Sequence, residues 1–424
     1  MLLFLLVVLI LPLSVAFHAP CGFTFALKST PSSEILSPRG FSFVLKSSSS
    51  SDPVGAEVQF AITSGRILNP SGSGWWDDRT SANPIILPPS STQPKWLCYY
   101  YGRSSATWNN DLPAFLPTGC SGVAESVDGL NWTRIKGPEN EGAILVPSSN
   151  PDDFDHVHVG INDVIPTDDG GYTCFYFGGS TEPLNLGFGP PGPPLKGFKM
   201  RPGIATSIDS ITFNKSERSP ILDMGGKGEW DENFVSWPRV LRLNEENDEE
   251  WLMTYHALMP VNPPRWGVGA AISRSGLTGE YKKIDGPILE GGEPGSWDEM
   301  GIGTRHVIPN PDGEGFVMVY EGVSGGEKGR HRLGLATSID GKIWSKVTDL
   351  TNEPGGPIFE GADAESDAWD NGNVGTPWIM KLPDNQGWRL YYVGTSDKGR
   401  TVAIGAAESS DLFSTNWIRV SPTA

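Results

Sequence analysis

Apolar residues along this chain fall in short alternating runs separated by polar turns, and the runs come in repeating groups of four. In one group Asp163-Val164-Ile165-Pro166 leads to a turn at Asp168-Asp169-Gly170-Gly171. Tyr172-Thr173-Cys174-Phe175-Tyr176-Phe177 follows, then Gly203 to Ser207, then Ile211-Thr212-Phe213-Asn214. A later group repeats the order with His306-Val307-Ile308-Pro309, Phe316 to Tyr320, Leu333 to Ser338 and Lys342-Ile343-Trp344-Ser345. Aromatic and β-branched runs bounded by Gly, Asp and Ser predict strands and turns. No segment sustains a 3.6-residue apolar period, so few helices are expected.

A short phrase marks the third run of each group. It reads Gly122-Val123-Ala124-Glu125-Ser126, Gly203-Ile204-Ala205-Thr206-Ser207, Gly269-Ala270-Ala271-Ile272-Ser273, Gly334-Leu335-Ala336-Thr337-Ser338 and Gly405-Ala406-Ala407-Glu408-Ser409. The copies lie roughly 70 residues apart, a period that points to radial repetition of one supersecondary unit. Five units of four antiparallel strands predict an all-β, five-bladed β-propeller, whose blades bury their faces against each other. The repeat also supplies an internal control: what all units share is architectural, and what one unit alone carries is a candidate for function.

Two further phrases recur. Trp76-Asp77, Trp230-Asp231, Trp297-Asp298 and Trp369-Asp370 precede inner strands, with Asp153-Phe154-Asp155 in the second unit. Links of the type Gly286-Pro287-Ile288-Leu289 and Gly356-Pro357-Ile358-Phe359, with the variant Ser219-Pro220-Ile221-Leu222, join one unit to the next. The repeated acids read as turn-closing residues, since four or five copies cannot all serve one reaction. The succession GSWDEMGIGTRHVIPN, FVMVYEG and LGLATSIDGKIWSKV resembles the five-bladed propeller superfamily of glycoside hydrolases, which includes arabinanases, xylosidases, levansucrases and invertases, with family 43 nearest in style. The resemblance spans residues 60 to 420. It implies a carbohydrate-active propeller, a glycoside hydrolase or transglycosidase; the alternative is a non-catalytic carbohydrate-binding or scaffold propeller with a degenerate site.

Residues 1–16 are apolar and uncharged and read as a secretory signal ending in Ser14-Val15-Ala16. Residues 17–55 are Ser-rich and poor in acids, a transit-like composition, and 56–424 form the propeller. Phe17 directly after Ala16 resembles the bipartite presequence of algae with complex plastids, so plastid delivery is expected, with secretion the alternative. The formal net charge of −18 argues against nucleic acid and anionic membranes as partners. No later apolar run is long enough to cross a bilayer, so no membrane anchor is expected after presequence removal. Cys98 and Cys174 occupy a place that holds Met253, Met318 and Leu390 elsewhere, which makes it a core position and gives no disulfide framework. A monomer acting on an oligo- or polysaccharide is expected.

Inner strands line the axis of a propeller, and their entries read Asn83-Pro84, Asn162-Asp163, Trp237-Pro238, Thr304-Arg305 and Thr376-Pro377. Asp163 is the one carboxylate in this column and Arg305 the one cation, with His306 beside it. Glycosidic cleavage needs two carboxyl groups flanking the scissile bond. The resemblance implies three acids: a base in the first blade, a tuning Asp in the second and a general-acid Glu in the third. Asp163 matches the second. The first falls at Asn83, with Asp78 five residues earlier as substitute, and the third at Trp237, with Glu232 five residues earlier. Arg305, His306 and His156 are the expected polar substrate contacts, and Trp75 and Trp237 the rings for stacking. His256 and Glu321 end second strands at Tyr255-His256 and Tyr320-Glu321, where other units have Tyr101-Gly102, Phe177-Gly178 and Val393-Gly394. The histidine spacing matches no compact metal motif; no cofactor is expected, though the resemblance leaves room for a divalent cation on the axis.

Overall fold

The computed structural model describes residues 64–105, 119–184, 196–243, 249–325, 329–350, 356–396 and 402–422. The presequence readings at 1–16 and 17–55, Phe17, and a Pro/Gly-rich insert at 187–194 lie outside the described residues. Among the described residues the only helical pieces are two three-residue 3-10 turns, Asn140–Gly142 and Pro383–Asn385.

A short strand β1 (Arg66–Leu68) precedes five sheets. The first blade is β2 (Thr80–Leu87), β3 (Trp96–Arg103), β4 (Gly119–Ser126) and β5 (Thr133–Ile135). The second is β6 (His158–Pro166), β7 (Tyr172–Gly179), β8 (Met200–Ser207) and β9 (Asn214–Lys215). The third is β10 (Ser236–Arg242), β11 (Trp251–Met259), β12 (Arg265–Ser273) and β13 (Tyr281–Lys283), with β14 (Leu289–Glu290) added to β12. The fourth is β15 (Ile302–Pro309), β16 (Phe316–Val323), β17 (His331–Ser338) and β18 (Ser345–Lys346). The fifth is β19 (Val374–Lys381), β20 (Trp388–Thr395), β21 (Val402–Ser409) and β22 (Ile418–Arg419). Every pairing between these strands is antiparallel, and β2, β6, β10, β15 and β19 neighbour one another around the axis.

The repeated phrase ends each third strand at its serine, and its alanine faces one register position in all five blades. Cys98 pairs with Ala124, Cys174 with Ala205, Met253 with Ala271, Met318 with Ala336 and Leu390 with Ala407. Cys98, Cys174, Met253, Met318 and Leu390 are all buried, and burial of each Met or Leu side chain contributes about 1.5–3 kcal/mol. Two positions on, a tyrosine faces the phrase's glycine: Tyr100 and Gly122, Tyr176 and Gly203, Tyr255 and Gly269, Tyr320 and Gly334, Tyr392 and Gly405. A Cβ on Gly269 would lie 2.4 Å from the Tyr255 ring and 2.7 Å from that of Trp230, so the close approach requires glycine.

The Gly-Pro links do more than cross between blades. Each first pairs with the third strand of its own blade, as Leu289 does with Val268 and Ile358 N–H with the Leu333 carbonyl (2.7 Å). In the last blade the segment paired at this place of the third strand is not such a link. β1 fills that place, with Arg66 opposite Gly405 and Leu68 opposite Ile404, so the segment before the first blade closes the ring.

Candidate functional site

The Trp-Asp phrase builds a clamp in every blade. The aromatic ring stacks on the second-strand tyrosine: Trp76 on Tyr100 (5.4 Å between centroids), Phe154 on Tyr176 (6.0 Å), Trp230 on Tyr255 (5.8 Å), Trp297 on Tyr320 (5.7 Å) and Trp369 on Tyr392 (5.8 Å). The buried aspartate beside it takes a cation from the fourth strand. Arg134 donates to Asp77 (2.7 Å), Lys215 to Asp155 (2.5 Å), Lys283 to Asp231 (2.7 Å), Lys346 to Asp298 (2.6 Å) and Arg419 to Asp370 (2.8 Å). Five copies of one ion pair hold the outer strand to the blade entrance, and the shared acids are structural.

The residue after each aspartate closes the same loop. Asp78 Oδ2 accepts the Gly74 N–H (3.2 Å) and its Oδ1 that of Ser105 (2.5 Å). Glu232 accepts from Gly228 N–H, and Glu299 from Gly295 N–H (2.5 Å). His156 Nδ1 meets the Ser148 carbonyl (2.8 Å), and Asn371 donates to Ala364 and Ser366. Slight burial pushes the Asp78 carboxyl up, but the Ser105 and Gly74 amides hold it below the usual carboxylate range. The five-residue offset of Asp78 and Glu232 from the inner-strand column is thus a property of the loop, set by a glycine four residues before each acid at φ near +90°. Trp75 stands on the first of these loops, 40% exposed, against Gly142.

Each inner strand carries a bulge at its entry, and the bulge corrects the expected column. In blades one, three, four and five the residue in register with Asp163 lies one place beyond the expected column, so His306, not Arg305, takes the place of Asp163. The equivalent residues are Ile85, Asp163, Arg239, His306 and Trp378, facing Tyr99, Phe175, Thr254, Val319 and Tyr391. All five are buried. Arg239, which the sequence reading did not single out, is the hub. It donates to the Asn83 side-chain oxygen (3.2 Å) of blade one, to the Asn162 carbonyl of blade two and to the Arg305 carbonyl (3.2 Å) of blade four. Its guanidinium lies 4.9 Å from the Trp378 ring centroid of blade five. One side chain therefore touches the four other blades.

Asp163 Oδ1 accepts the Val164 N–H (3.0 Å) and Oδ2 the Val240 N–H (2.9 Å). Burial pushes its carboxyl up to about 6 against the pull of Arg239 and those two amides. Burial lowers Arg239 to about 10, with Asp163 opposing. Arg305 does not pair with Asp163. Its guanidinium donates to Thr254 Oγ1 (3.1 Å) and the Trp237 carbonyl (2.6 Å). His306 stacks on Trp378 (3.9 Å) and accepts the Ile379 N–H at Nδ1 (3.0 Å); burial, with Arg239, pushes it well below its ordinary value.

At the end where inner strands begin and second strands finish, here termed the mouth, the lining changes character. A chain of rings runs from Tyr101 to Phe177 (5.8 Å), Trp237 (4.3 Å, stacked), His256 (5.0 Å) and Trp266 (5.2 Å), crossing blades one to three. Burial lowers His256 to about 3, helped by Arg305, and His158 to about 4, so both are neutral. His158 Nε2 donates to the Gly197 carbonyl (2.7 Å), leaving Nδ1 an unpartnered acceptor. The His256 ring lies near the Gly303 carbonyl without a well-aligned bond. Of fourteen buried polar side-chain atoms without a partner among the described residues, seven lie at these entries: His158 Nδ1, both Asn162 atoms, Trp237 Nε1, both His256 nitrogens and Thr376 Oγ1. Asn83, Trp237 and Thr376 each precede proline with φ of +54°, +52° and +42°; a bulky or β-branched residue there is a strained outlier.

A buried acid outside the repeated clamps, Glu321, lies at the mouth. Glu321 accepts from His331 Nδ1–H (2.5 Å), the Thr304 hydroxyl and the Thr376 N–H (3.2 Å). Burial pushes its carboxyl up, yet these donors, His331 foremost, hold it below its ordinary value. Among the described residues no group of three or more His, Cys, Asp or Glu could hold a metal ion.

No family model matches the chain, and no curated protein matches it. Solved structures do. A glycoside hydrolase superposes with a TM-score of 0.55 at 16% identity over 84% of this chain and 96% of its own. A structure from the GH130 family of mannoside phosphorylases, described with β-1,2 mannosidic linkages in Candida mannan, gives 0.51 at 15% identity over 81% and 94%. The Bombyx mori GH32 β-fructofuranosidase gives 0.52 at 11% over 83% and 64%. This chain has their fold. At such identities the likeness carries the architecture and leaves the reaction to the site.

Proposed function

We propose that the protein is a carbohydrate-active propeller that binds a neutral oligosaccharide at the mouth. The observation that carries this reading is the concentration of unpartnered, uncharged polar atoms among aromatic rings at the inner-strand entries. A neutral sugar needs such a surface: hydroxyls ask for neutral donors and acceptors, and its C–H faces ask for a ring. An anion or a nucleic acid would ask for free cations, but Arg239 and Arg305 spend theirs on backbone and side-chain oxygens inside the propeller. Strain at Trp237 is consistent with a residue held for use. The test is calorimetric titration with arabinobiose, xylobiose, mannobiose and sucrose. At least one should bind, and Trp237→Ala should weaken it about tenfold, or 1.4 kcal/mol. Failure of wild type to bind any of them, or tight binding untouched by Trp237→Ala, would count against the mouth.

A second reading, glycosidic cleavage by paired carboxylates, is favoured by the placement of Asp78 and Glu232 on mouth-end loops, each part-exposed. In it Asp78 serves as base or nucleophile, Glu232 as acid and Asp163 as the tuning group. A panel of aryl glycosides tests it: turnover should fall by orders of magnitude in both Asp78→Asn and Glu232→Gln. Turnover that survives both changes would remove the pair from the chemistry.

A further inference from the structure

In every blade a residue near the end of the second strand meets, across one diagonal of the sheet, a residue at the opening of the third. Tyr101 faces Ser121, Phe177 faces Pro202, His256 faces Val268, Glu321 faces Leu333 and Val393 faces Ile404. The diagonal neighbour two residues earlier is Gly119, Met200, Trp266, His331 and Val402 respectively. Side chains at such diagonals lie within mutual reach. The Tyr101 ring fills the space over Gly119, and His256 lies 5.2 Å from Trp266. Four blades fill this position with rings, aliphatic groups or glycine. Blade four alone fills it with an acid and an imidazole.

A purely structural role explains part of this. Glu321 joins β15 to β19 through Thr304 and Thr376. But the Thr376 N–H already donates to Thr304 Oγ1 (2.8 Å), so that seam has a bond of its own. Enclosing a carboxylate costs several kcal/mol unless it is paired, and no other blade places one at this position of its second strand. Space is also made for it: a Cβ on Gly375 would lie 2.6 Å from the Glu321 carboxyl carbon. What Glu321 adds is control of His331. The backbone N–H of His331 is pinned to Asn373 Oδ1 (2.9 Å), and the side chains of Glu321 and His331 are 8% and 14% exposed. With Nδ1–H committed to Glu321, the ring is fixed in one tautomer and Nε2 is left as an acceptor.

We propose that His331, oriented by Glu321, is a ligand-contacting residue of the mouth, its Nε2 accepting a hydroxyl of the bound sugar. The inference rests on the carbohydrate reading above and extends that site from the aromatic wall of blades one to three onto blade four. Glu321 is then a positioning residue.

The test is nitrogen-15 NMR of the histidine rings in the full chain, which has six histidines, during titration with arabinobiose, xylobiose, mannobiose and sucrose. The disaccharide that binds should move the His331 ring signals, assigned by their loss in His331→Gln, and that variant should bind about tenfold more weakly. In free Glu321→Gln the His331 nitrogens should shift towards a mixture of tautomers, which a merely structural acid would not cause. If His331→Gln does not fold, the ring signals that move in free Glu321→Gln identify His331, and their shift in the wild-type titration decides. Binding at wild-type affinity in His331→Gln, or His331 signals unmoved by a bound disaccharide, would overturn the inference and leave the carbohydrate reading standing. Absence of binding to wild type by any of the four would overturn both.

Discussion

Replacing Arg239 by methionine should cost more than any other single change on the axis, and the cost should depend on pH. The methionine keeps most of the stem but removes donors to Asn83, Asn162 and Arg305 and the cation over Trp378. It also leaves Asp163 buried without its opposing charge. Breaking a buried pair from one side costs roughly 3–5 kcal/mol. The pH dependence follows from Asp163. Its folded value of about 6 lies above the unfolded value of about 3.9, so the native state holds the proton more tightly. Its contribution to stability is therefore full below about pH 4 and is lost as pH rises through about 6, by about 3 kcal/mol in all. Without Arg239 the carboxyl moves higher still, so the penalty of the substitution is larger at pH 7.5 than at pH 4.5. Urea unfolding at both pH values, with m unchanged, measures it. A cost under about 1 kcal/mol, or the same cost at both pH values, would refute the reasoning.

Three other outcomes are expected. Tyr255→Phe removes a hydroxyl bonded to Asp231 (3.0 Å) and should cost about 1.5–3 kcal/mol, whereas Tyr320→Phe should be near neutral, because the Tyr320 hydroxyl near Asp298 makes no well-formed bond; equal losses in urea unfolding would contradict this. Gly334→Ala places a Cβ 2.8 Å from both the Trp297 and Tyr320 rings and should lower stability by about 1–3 kcal/mol, with a fall in melting temperature as the readout. A fluorescent fusion of residues 1–55 is expected in the plastid of a complex-plastid alga and outside it after Phe17→Ala; secretion of the unmodified fusion would exclude plastid delivery.

The propeller was legible because its signals come five times. The small residues of the third strand, the tyrosine two positions beyond the Cys/Met/Leu place and the Trp-Asp phrase each recur at fixed offsets, and the structure seats every copy in one register. The axis was less legible, because a bulge shifts register by a single residue and leaves no mark in a period-two pattern. The expected column set blade two one residue ahead of the other four, which put Arg305 beside Asp163 and hid Arg239. The loop role of Asp78 and Glu232 did have a signal, the glycine four residues before each. The His331–Glu321 pair had half of one. Glu321 broke the repeat visibly, but its partner lies across a sheet diagonal, a distance that strand alternation alone does not specify. Ring closure by β1 was foreshadowed by the likeness of Arg66-Ile67-Leu68 to the Pro-Ile-Leu of the inter-blade links.

The most direct measurement is a crystal structure of the protein with the disaccharide that binds it most tightly. Carbohydrate binding at the mouth predicts a sugar ring stacked on Trp237, with hydroxyls at the unpartnered nitrogens of His158 and His256. A sugar seated instead on Trp75 and the outer loops, with the inner-strand entries untouched, would contradict it.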